Sequence, residues 1–300
     1  MKTNFHSKYT TIIIYTYYKM LTSKQLLLVS VTLFVVWYFN LTGTVVYSST
    51  KIVTTRSVIE NNRPNLFLTY TSKADVPQKV WDGLQKYASD YNVRFFDDAA
   101  CVRYLTDHFD PRIIERYNAI TQGAHRADLW RYCVLYREGG VYIDIKTVLT
   151  RPLSSFIPSD HNSSVLSAIP KTVYQGILSV PRPGDEVLRT CISHILNTPQ
   201  RHLDSKFLAF LSRQSYGYLM ITGALYEAIS ESTGITELKH GRNGNWTLFQ
   251  EFCDESNCTG GIKKDRNGSC CTILAEKGEL VARTRYSDFP WVKQSRPQRR

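Results

Sequence analysis

Charged side chains of both signs recur at short spacing between residues 121 and 153. Asp128 and Arg131 lie three residues apart, and Asp144 and Lys146 lie two residues apart after a Gly-Gly pair. Carboxylates accept hydrogen bonds, whereas guanidinium and ammonium groups donate them to anions. If these four groups converge, they could bind a polar ligand that carries negative charge.

Local sequence predicts the elements that would bring these groups together. Residues 124–138 contain no Gly or Pro and predict a helix, which Gly139 and Gly140 end because glycine tolerates a left-handed C-cap. Val141–Ile145 is rich in β-branched and aromatic residues and predicts a strand.

The two elements have nearly equal lengths. The helix descends roughly 15 Å from Asp128 to Glu138, and the strand returns roughly 16 Å from Val141 to Lys146. A tight reversal between them therefore places the first helical turn beside the end of the strand. Asp144 and Lys146 share one face of the predicted strand.

A simpler interpretation remains open at this point. Asp128 and Arg131 could form an exposed helical pair, and Asp144 could merely end a strand. Asp144 follows Tyr142 and Ile143 in an apolar strand, and burying its carboxylate without a partner would be energetically unfavourable. This disfavours the simpler interpretation.

Upstream segments predict the fold class. Strands at Asn65–Tyr70 and Val93–Phe96 alternate with helices that begin after Pro77 and after Asp97-Asp98. Such alternation predicts an α/β domain with a mainly parallel sheet, and sheets of this kind bind ligands outside the carboxyl ends of their strands.

The segment resembles the sugar-binding region of glycosyltransferase family 32 and of related capsular-polysaccharide synthesis proteins. The family pattern is roughly A-x-x-[SA]-D-x-x-R-Y-x-x-L-x-x-x-G-G-x-Y-x-D-x-D. The matching positions are Ala124, Ala127, Asp128, Arg131, Tyr132, Leu135, Gly139, Gly140, Tyr142 and Asp144. The resemblance covers about residues 64–230.

The resemblance implies a GT-A (Rossmann-like) fold and transfer of a hexose (mannose, galactose or glucose) from a nucleotide sugar, with retention, to a glycan or glycolipid acceptor. Asp128 and Arg131 would bind the sugar hydroxyls and the diphosphate side of the donor. Tyr142 would line the donor pocket, and Asp144 would contact the donor and help to hold a divalent metal. Asp144 and Lys146 are the candidate catalytic residues.

Lys146 departs from the family pattern, because it replaces the second acid of the D-x-D motif. Lysine has no acceptor and cannot ligate Mn²⁺ or Mg²⁺. Three interpretations stay open: Lys146 replaces the metal and pairs with the diphosphate, the metal binds through Asp144 and the diphosphate alone, or catalysis is weakened or lost. In the last case the chain is a pseudo-glycosyltransferase that binds nucleotide sugar or glycan without turnover.

Net charge does not indicate nucleic-acid binding, although it is +11 over 300 residues. Residues 1–24 contribute four Lys and no acid, and residues 283–300 contribute a net +5. The excess therefore lies at the two ends and not on one folded face, as nucleic-acid binding requires.

The N-terminal sequence predicts a membrane anchor. The 26 residues between Lys24 and Lys51 carry no formal charge, and a bilayer core of roughly 30 Å needs about 20 helical residues. The Lys residues precede the apolar stretch, which places the N-terminus in the cytosol. A cleaved signal peptide and a buried soluble helix are the alternatives.

The expected organisation is a single-pass type II protein of the Golgi and secretory-pathway membrane. Its parts are a cytosolic tail at 1–24, a transmembrane signal anchor at 25–47, a stem at 48–63 and a lumenal GT-A-like domain at 64–300.

Two further patterns agree with a lumenal domain. Four of the seven Cys lie close together: Cys253, Cys258, Cys270 and Cys271. In an oxidising lumen they predict one or two disulfides, with a zinc site as the alternative. Glycosylation sequons occur at Asn40, Asn162, Asn245, Asn257 and Asn267. The remaining cysteines are expected to be small buried residues: Cys101, Cys133 and Cys191.

Overall fold

The computed structural model describes residues 63–199, 216–254, 270–275 and 277–284. The predicted cytosolic tail, the membrane anchor and all but the last residue of the stem lie outside these ranges. Cys258 and the sequons at Asn40, Asn257 and Asn267 also lie outside them. Within the described ranges, no helix combines the length and the apolar character that a membrane span requires.

The described residues form α-helices and β-strands. The helices are α1 (Gln78–Tyr87), α2 (Asp98–His108), α3 (Pro111–Ala119), α4 (Gly123–Glu138), α5 (Glu186–Asn197) and α6 (Tyr216–Thr233). The strands are β1 (Asn65–Thr69), β2 (Asn92–Phe96), β3 (Gly140–Ile143), β4 (Val148–Leu149), β5 (Asn162–Leu166), β6 (Val173–Val180), β7 (Gly241–Asn243), β8 (Trp246–Asp254), β9 (Cys270–Leu274) and β10 (Leu280–Arg283).

Side-chain caps begin three of these helices. Asp97 starts α2 as predicted, and its carboxylate accepts a hydrogen bond of 2.7 Å from the Ala100 amide. Asp110 caps α3 just before Pro111, and Asp185 caps α5. Each cap satisfies a backbone N–H that the helix itself leaves without a partner.

The strands form one mixed sheet in the order β2-β1-β3-β6-β5-β8-β9-β10-β4, with β7 paired to β8. Parallel pairings join β1 to β2, β1 to β3 and β5 to β8, whereas β6 runs antiparallel between β3 and β5. The pairings among β7, β8, β9, β10 and β4 are also antiparallel.

The α/β class is therefore confirmed, and the prediction of a mainly parallel sheet is wrong. The prediction extended the β-α alternation of the first part of the chain to the whole domain. Short connections, such as residues 167–172 between β5 and β6, favour antiparallel neighbours, because parallel strands need a long crossover.

Strands β1, β2, β3, β5 and β8 all run in one direction, since β6 is antiparallel to both β3 and β5. Their C-terminal ends meet at one side of the sheet, which we call the carboxyl edge. This is the edge at which open α/β sheets bind ligands.

Two apolar cores cover the two faces of the sheet. One core contains the buried side chains of helices α2 to α5 and the described part of α6, and the other contains those of α1 and the segment around Leu153 and Ile157. Helix α4 lies deep in the first core, because every residue from Asp128 to Leu135 is buried. Trp130 on this helix packs against Phe67 and Tyr142 from the sheet.

The sheet curls back on itself at the end of β3. Six strand spacings separate β3 from β4 in the sheet order, which would be about 29 Å in a flat sheet. Only residues 144–147 link the two strands, and this link reaches at most about 19 Å. The turn that carries Asp144 and Lys146 is therefore held at both ends by the sheet.

The predicted reversal after α4 is present, but the following strand is shorter than predicted. Gly139 and Gly140 have φ values of 67° and 105°, which glycine adopts more readily than other residues. Strand β3 ends at Ile143 and not at Ile145, because the backbone turns at Asp144. Asp144 and Lys146 thus lie on a turn and not on one strand face.

Gly140→Ala should lower the free energy of unfolding by about 3 kcal/mol or more, because strain and steric overlap combine. A Cβ at this position would lie 2.7 Å from the Asn65 carbonyl oxygen. Gly184→Ala is the matched control, because Gly184 has a φ of 82° and no atom within 4 Å of the added Cβ. Urea denaturation measures both changes, and equal losses would contradict a steric role for Gly140.

Candidate active site

Arg131 lies at the centre of the predicted site and is only 4% exposed. Its Nη2 lies 3.0 Å from Asp128 Oδ1, one helical turn earlier on α4. Its Nε donates to the Ala127 carbonyl at 3.2 Å, and its Nη1 donates to the Gln175 carbonyl at 2.5 Å. The guanidinium is therefore fixed by one carboxylate and by carbonyls of both α4 and β6.

The Tyr142 ring forms another wall around this guanidinium. Arg131 Cζ lies 4.2 Å from the ring centroid, which is a cation–π contact. Burial alone would lower the pKa of Arg131, but Tyr142, Asp128 and Asp144 raise it, and the pKa lies above its usual range. The group thus keeps its positive charge at this buried place.

Asp144 follows β3 directly and closes the turn at the carboxyl edge. Its backbone N–H donates to the Gly176 carbonyl at 2.8 Å, and its Oδ1 accepts the Lys146 N–H at 2.9 Å. This is the local hydrogen bonding by which Asp favours turns. The Asp144 side chain is partly exposed, so the carboxylate faces the buried arginine and also reaches solvent.

Lys146 lies on the side of this turn that faces β1. Its Nζ is 6.0 Å from the ring centroid of Tyr70, the residue that follows β1. Burial raises the pKa of Tyr70, and the charges of Asp75 and then Asp144 raise it further. The ends of β1 and β3 thus bring Tyr70, Asp144 and Lys146 to the same region of the edge.

The structure therefore brings together the residues that the sequence predicts. Asp128, Arg131 and Tyr142 are in direct contact, and Asp144 lies close enough to shift the pKa of Arg131. Lys146 lies on the same turn as Asp144, and its Nζ lies over the Tyr70 ring at the end of the neighbouring strand β1.

His125 is not among the predicted site residues, because a histidine one helical turn from such a site is more often a capping or surface residue. It is 3% exposed, and its Nδ1 lies 3.4 Å from Asp128 Oδ2. Both carboxylate oxygens of Asp128 therefore have a neighbour on its own helix. The helical spacing of three residues between His125 and Asp128 was the available signal.

Tyr174 is a second residue without a sequence signal. Its hydroxyl fills the space above Gly176, where a Cβ would lie only 2.1 Å away. Burial raises its pKa well above the usual range, and the charges of Asp144 and Glu251 contribute. Tyr174 thus lies between two carboxylates that are distant in sequence.

Glu251 is the other carboxylate that the sequence did not reveal. It lies on β8, level with the end of β5, and is 8% exposed. Its Oε2 accepts hydrogen bonds from Ser167 Oγ at 2.9 Å and from the Ala168 N–H at 3.1 Å. Glu251 therefore holds the turn after β5 at the carboxyl edge.

The donor set at Asp144 does not fit a divalent ion held by the protein. Mn²⁺ and Mg²⁺ prefer several oxygen ligands, and Lys146 occupies the second acid position of the motif. Among the described residues, one group of three ligand types lies close together, namely Glu251, Cys253 and Cys271. Asp144 is not part of that group, whose two sulfur atoms are bonded to each other.

One predicted disulfide is present, between Cys253 on β8 and Cys271 on β9. This bond disfavours the zinc alternative for these two residues, because their sulfur atoms are already paired. Cys270 lies in β9, and the structure describes its backbone but not its side chain. The three earlier cysteines are free and buried, as predicted: Cys101, Cys133 and Cys191.

Glu251→Gln should reduce the pH dependence of stability. Burial raises the pKa of Glu251, and the hydrogen bonds from Ala168 and Ser167 offset this only partly. The folded wild type therefore binds this proton more tightly than the unfolded chain, and it loses stability as pH rises from the unfolded pKa through the folded pKa.

The glutamine variant cannot ionise and should become more stable relative to wild type between about pH 4 and about pH 8. Urea denaturation at both pH values measures the difference, with Glu186→Gln as an exposed control. If the difference in the free energy of unfolding between the variant and wild type is the same at both pH values, the raised pKa of Glu251 is contradicted.

Comparison with known proteins supports the residue pattern. Residues 74–163 match the family described as glycosyltransferase sugar-binding region containing DXD motif. The chain is 30% identical over 106 residues to the initiation-specific alpha-1,6-mannosyltransferase of Saccharomyces cerevisiae, covering 35% of this chain and 20% of the relative. It is 27% identical over 88 residues to the uncharacterized glycosyltransferase L373 of Acanthamoeba polyphaga mimivirus, covering 29% of this chain and 35% of that protein.

A second Saccharomyces cerevisiae protein, HOC1, is 31% identical over 114 residues, and the match covers 32% of this chain and 29% of HOC1. Each match thus spans about a third or less of the relative. The solved PaToxG glycosyltransferase aligns with a TM-score of 0.40 and 17% identity over 57% of this chain and 72% of that chain, a likeness too low to carry an argument. The family match confirms the predicted resemblance over residues 74–163. This part of the chain is similar to glycosyltransferases of family 32, and its DXD position reads Asp144-Ile145-Lys146.

Proposed function

We propose that this chain is a membrane-anchored transferase that moves a hexose from a nucleotide sugar to a glycan or glycolipid acceptor, with retention of configuration. The observation that carries the proposal is the buried Asp128–Arg131 pair, which lies over Tyr142 and beside Asp144 at the carboxyl edge. Buried charged groups that are fixed by their partners at a ligand-binding edge are typical of a binding site and not of a solvent-exposed ion pair.

The chemistry of a nucleotide sugar matches these groups. Sugar hydroxyls donate to carboxylates, and Asp128 offers acceptor oxygens whose positions are fixed by Arg131 and His125. The diphosphate accepts from cations, and Arg131 and Lys146 supply positive charge on the two sides of Asp144.

In the transfer, the bond between the anomeric carbon and the diphosphate oxygen breaks, and its electron pair stays on the diphosphate. The acceptor hydroxyl oxygen forms the new glycosidic bond, and its proton passes to the departing diphosphate. Arg131 is pre-oriented by Asp128 and Tyr142, so it stabilises the growing charge without first having to rearrange. Tyr142 also excludes water from this side of the pocket.

The mixed sheet also supports a GT-A-like fold, with a parallel β2-β1-β3 part and the candidate site at its carboxyl edge. Mannose is the first sugar to test, because one relative is named as a mannosyltransferase. Galactose and glucose are the further candidates that we expect from the family.

We place the catalytic domain in the lumen of the secretory pathway, in the Golgi, with residues 25–47 as the membrane anchor. The uncharged stretch between Lys24 and Lys51 supports this topology. The Cys253–Cys271 disulfide supports it independently, because disulfides persist in oxidising compartments.

A pseudo-glycosyltransferase is the second candidate function. The observation that favours it is Lys146 in the motif, since the second acid is absent. Such a protein would bind the donor at the same edge and release it unchanged. Binding without turnover separates this candidate from the transferase.

Isothermal titration with GDP-mannose, UDP-galactose and UDP-glucose tests the proposed donor site, and release of the nucleoside diphosphate measures turnover. We expect one donor to bind wild type and Asp128→Asn to bind it about 10- to 100-fold more weakly, because a charged acceptor is lost. Asp90→Asn makes the same change at an exposed position and should bind like wild type. If no donor binds, or if both variants bind like wild type, the proposed site is wrong.

Glycopeptide mapping after expression in a secretory eukaryotic host tests the compartment. Asn245 is exposed on the turn between β7 and β8 and should carry a glycan. Asn162 is 5% exposed, and its Nδ2 donates to Asp185 at 2.8 Å, so it should be unmodified. An unmodified Asn245 in the secreted or membrane fraction, or a glycan on Asn162 in folded protein, would contradict this assignment.

A further inference from the structure

We propose that the Lys146 ammonium is the resident cation for the donor diphosphate, so that transfer needs no divalent metal. This inference rests on the proposed function and goes beyond it, because it assigns the charge that stabilises the leaving group. The family description names a DXD motif, and this chain carries Asp144-Ile145-Lys146 at that place.

The ligand chemistry of the turn favours a cation over a metal ligand at this position. A lysine side chain has three donors and no acceptor, so it repels a metal ion instead of binding it. Asp144 Oδ1 already accepts the Lys146 backbone N–H, which leaves less of this carboxylate for a metal. Within the described ranges, no group of three ligand side chains includes Asp144.

The position of the ammonium fits the same role. Lys146 Nζ lies 6.0 Å from the Tyr70 ring centroid, and Tyr70 follows the strand beside β3. Both residues therefore lie at the carboxyl edge, next to Asp144. The turn is held by the sheet at both ends, since β3 precedes it and β4 follows it. The backbone from which the Lys146 side chain extends is therefore fixed in position.

The geometry also separates the two cationic groups of the site. Arg131 is buried and already paired with Asp128 and two carbonyls, so it has little freedom to follow the departing phosphate. Lys146 is only partly buried and has a flexible four-carbon stem. Arg131 can therefore stabilise the developing charge only from its fixed position, whereas Lys146 can accompany the diphosphate as it leaves.

The step balances without a further reagent. The bond from the anomeric carbon to the diphosphate oxygen breaks, and the diphosphate keeps the electron pair. Lys146 donates hydrogen bonds to the diphosphate and keeps its proton, so its charge offsets the charge that develops there. The acceptor hydroxyl releases one proton, and the departing diphosphate oxygen accepts it.

The experiment uses the full chain in detergent with UDP and GDP as probes, each titrated in EDTA and again with Mn²⁺. The variants are Lys146→Ala, which removes the cation, and Lys146→Asp, which restores the second acid of the motif. Lys277→Ala is the matched control, because Lys277 is exposed in the turn between β9 and β10, away from the carboxyl edge. Paramagnetic resonance of Mn²⁺ in the same samples reports metal binding without relying on activity.

We expect wild type and Lys277→Ala to bind one nucleoside diphosphate equally in EDTA and in Mn²⁺. Lys146→Ala should bind it about 10- to 100-fold more weakly in EDTA, because a charge-assisted contact is lost. Lys146→Asp should bind weakly in EDTA and should recover binding, with an altered Mn²⁺ spectrum, when the metal is present.

Two results would overturn this inference. If wild type binds the diphosphate only with Mn²⁺, the metal is held through Asp144 and the diphosphate, and the proposed function stands without this inference. If Lys146→Ala binds as tightly as wild type in EDTA, Lys146 is not the cation. Absence of binding to either nucleotide, in any condition, overturns the inference together with the proposed function.

Discussion

The buried guanidinium of Arg131 is the constraint on which the rest of the site depends. A charge in this position is tolerated only if its partners are in place, and breaking a buried pair of this kind costs roughly 3–5 kcal/mol. Asp128 on α4, the Gln175 carbonyl on β6 and the Tyr142 ring on β3 supply those partners. The helix and the two antiparallel strands must therefore meet at one place.

The curled sheet supplies the second constraint, because it fixes the turn that carries Asp144 and Lys146. Residues 144–147 connect two strands that lie far apart in the sheet order. The Asp144 amide is bonded to Gly176, and Thr150 is bonded to the backbone of β10. A turn anchored in this way can present a carboxylate and an ammonium to a ligand with little loss of conformational entropy on binding.

The sequence predicted those parts of the site that depend on local structure. Helix α4, the Gly139-Gly140 reversal and the convergence of the charged groups follow from propensity and from the lengths of the two elements. The end of β3 was predicted two residues too late. Ile145 favours a strand, but Asp144 accepts hydrogen bonds from the backbone N–H groups of Lys146 and Thr147, and these close a turn.

The contributions of Tyr174, Glu251 and the antiparallel half of the sheet could not be predicted in the same way. Tyr174 and Glu251 reach the site through the pairings of β3 with β6 and of β5 with β8, which join strands distant in sequence and have no local signal. The burial of His125 likewise depends on how deeply α4 packs into the core.

A crystal structure of the chain with its intact nucleotide sugar is the most direct test of the central claim. The account predicts that the sugar hydroxyls lie within hydrogen-bond distance of Asp128 and that the diphosphate contacts Lys146, with Arg131 unmoved over Tyr142. A donor that is well ordered elsewhere, with these side chains away from it, would contradict the account.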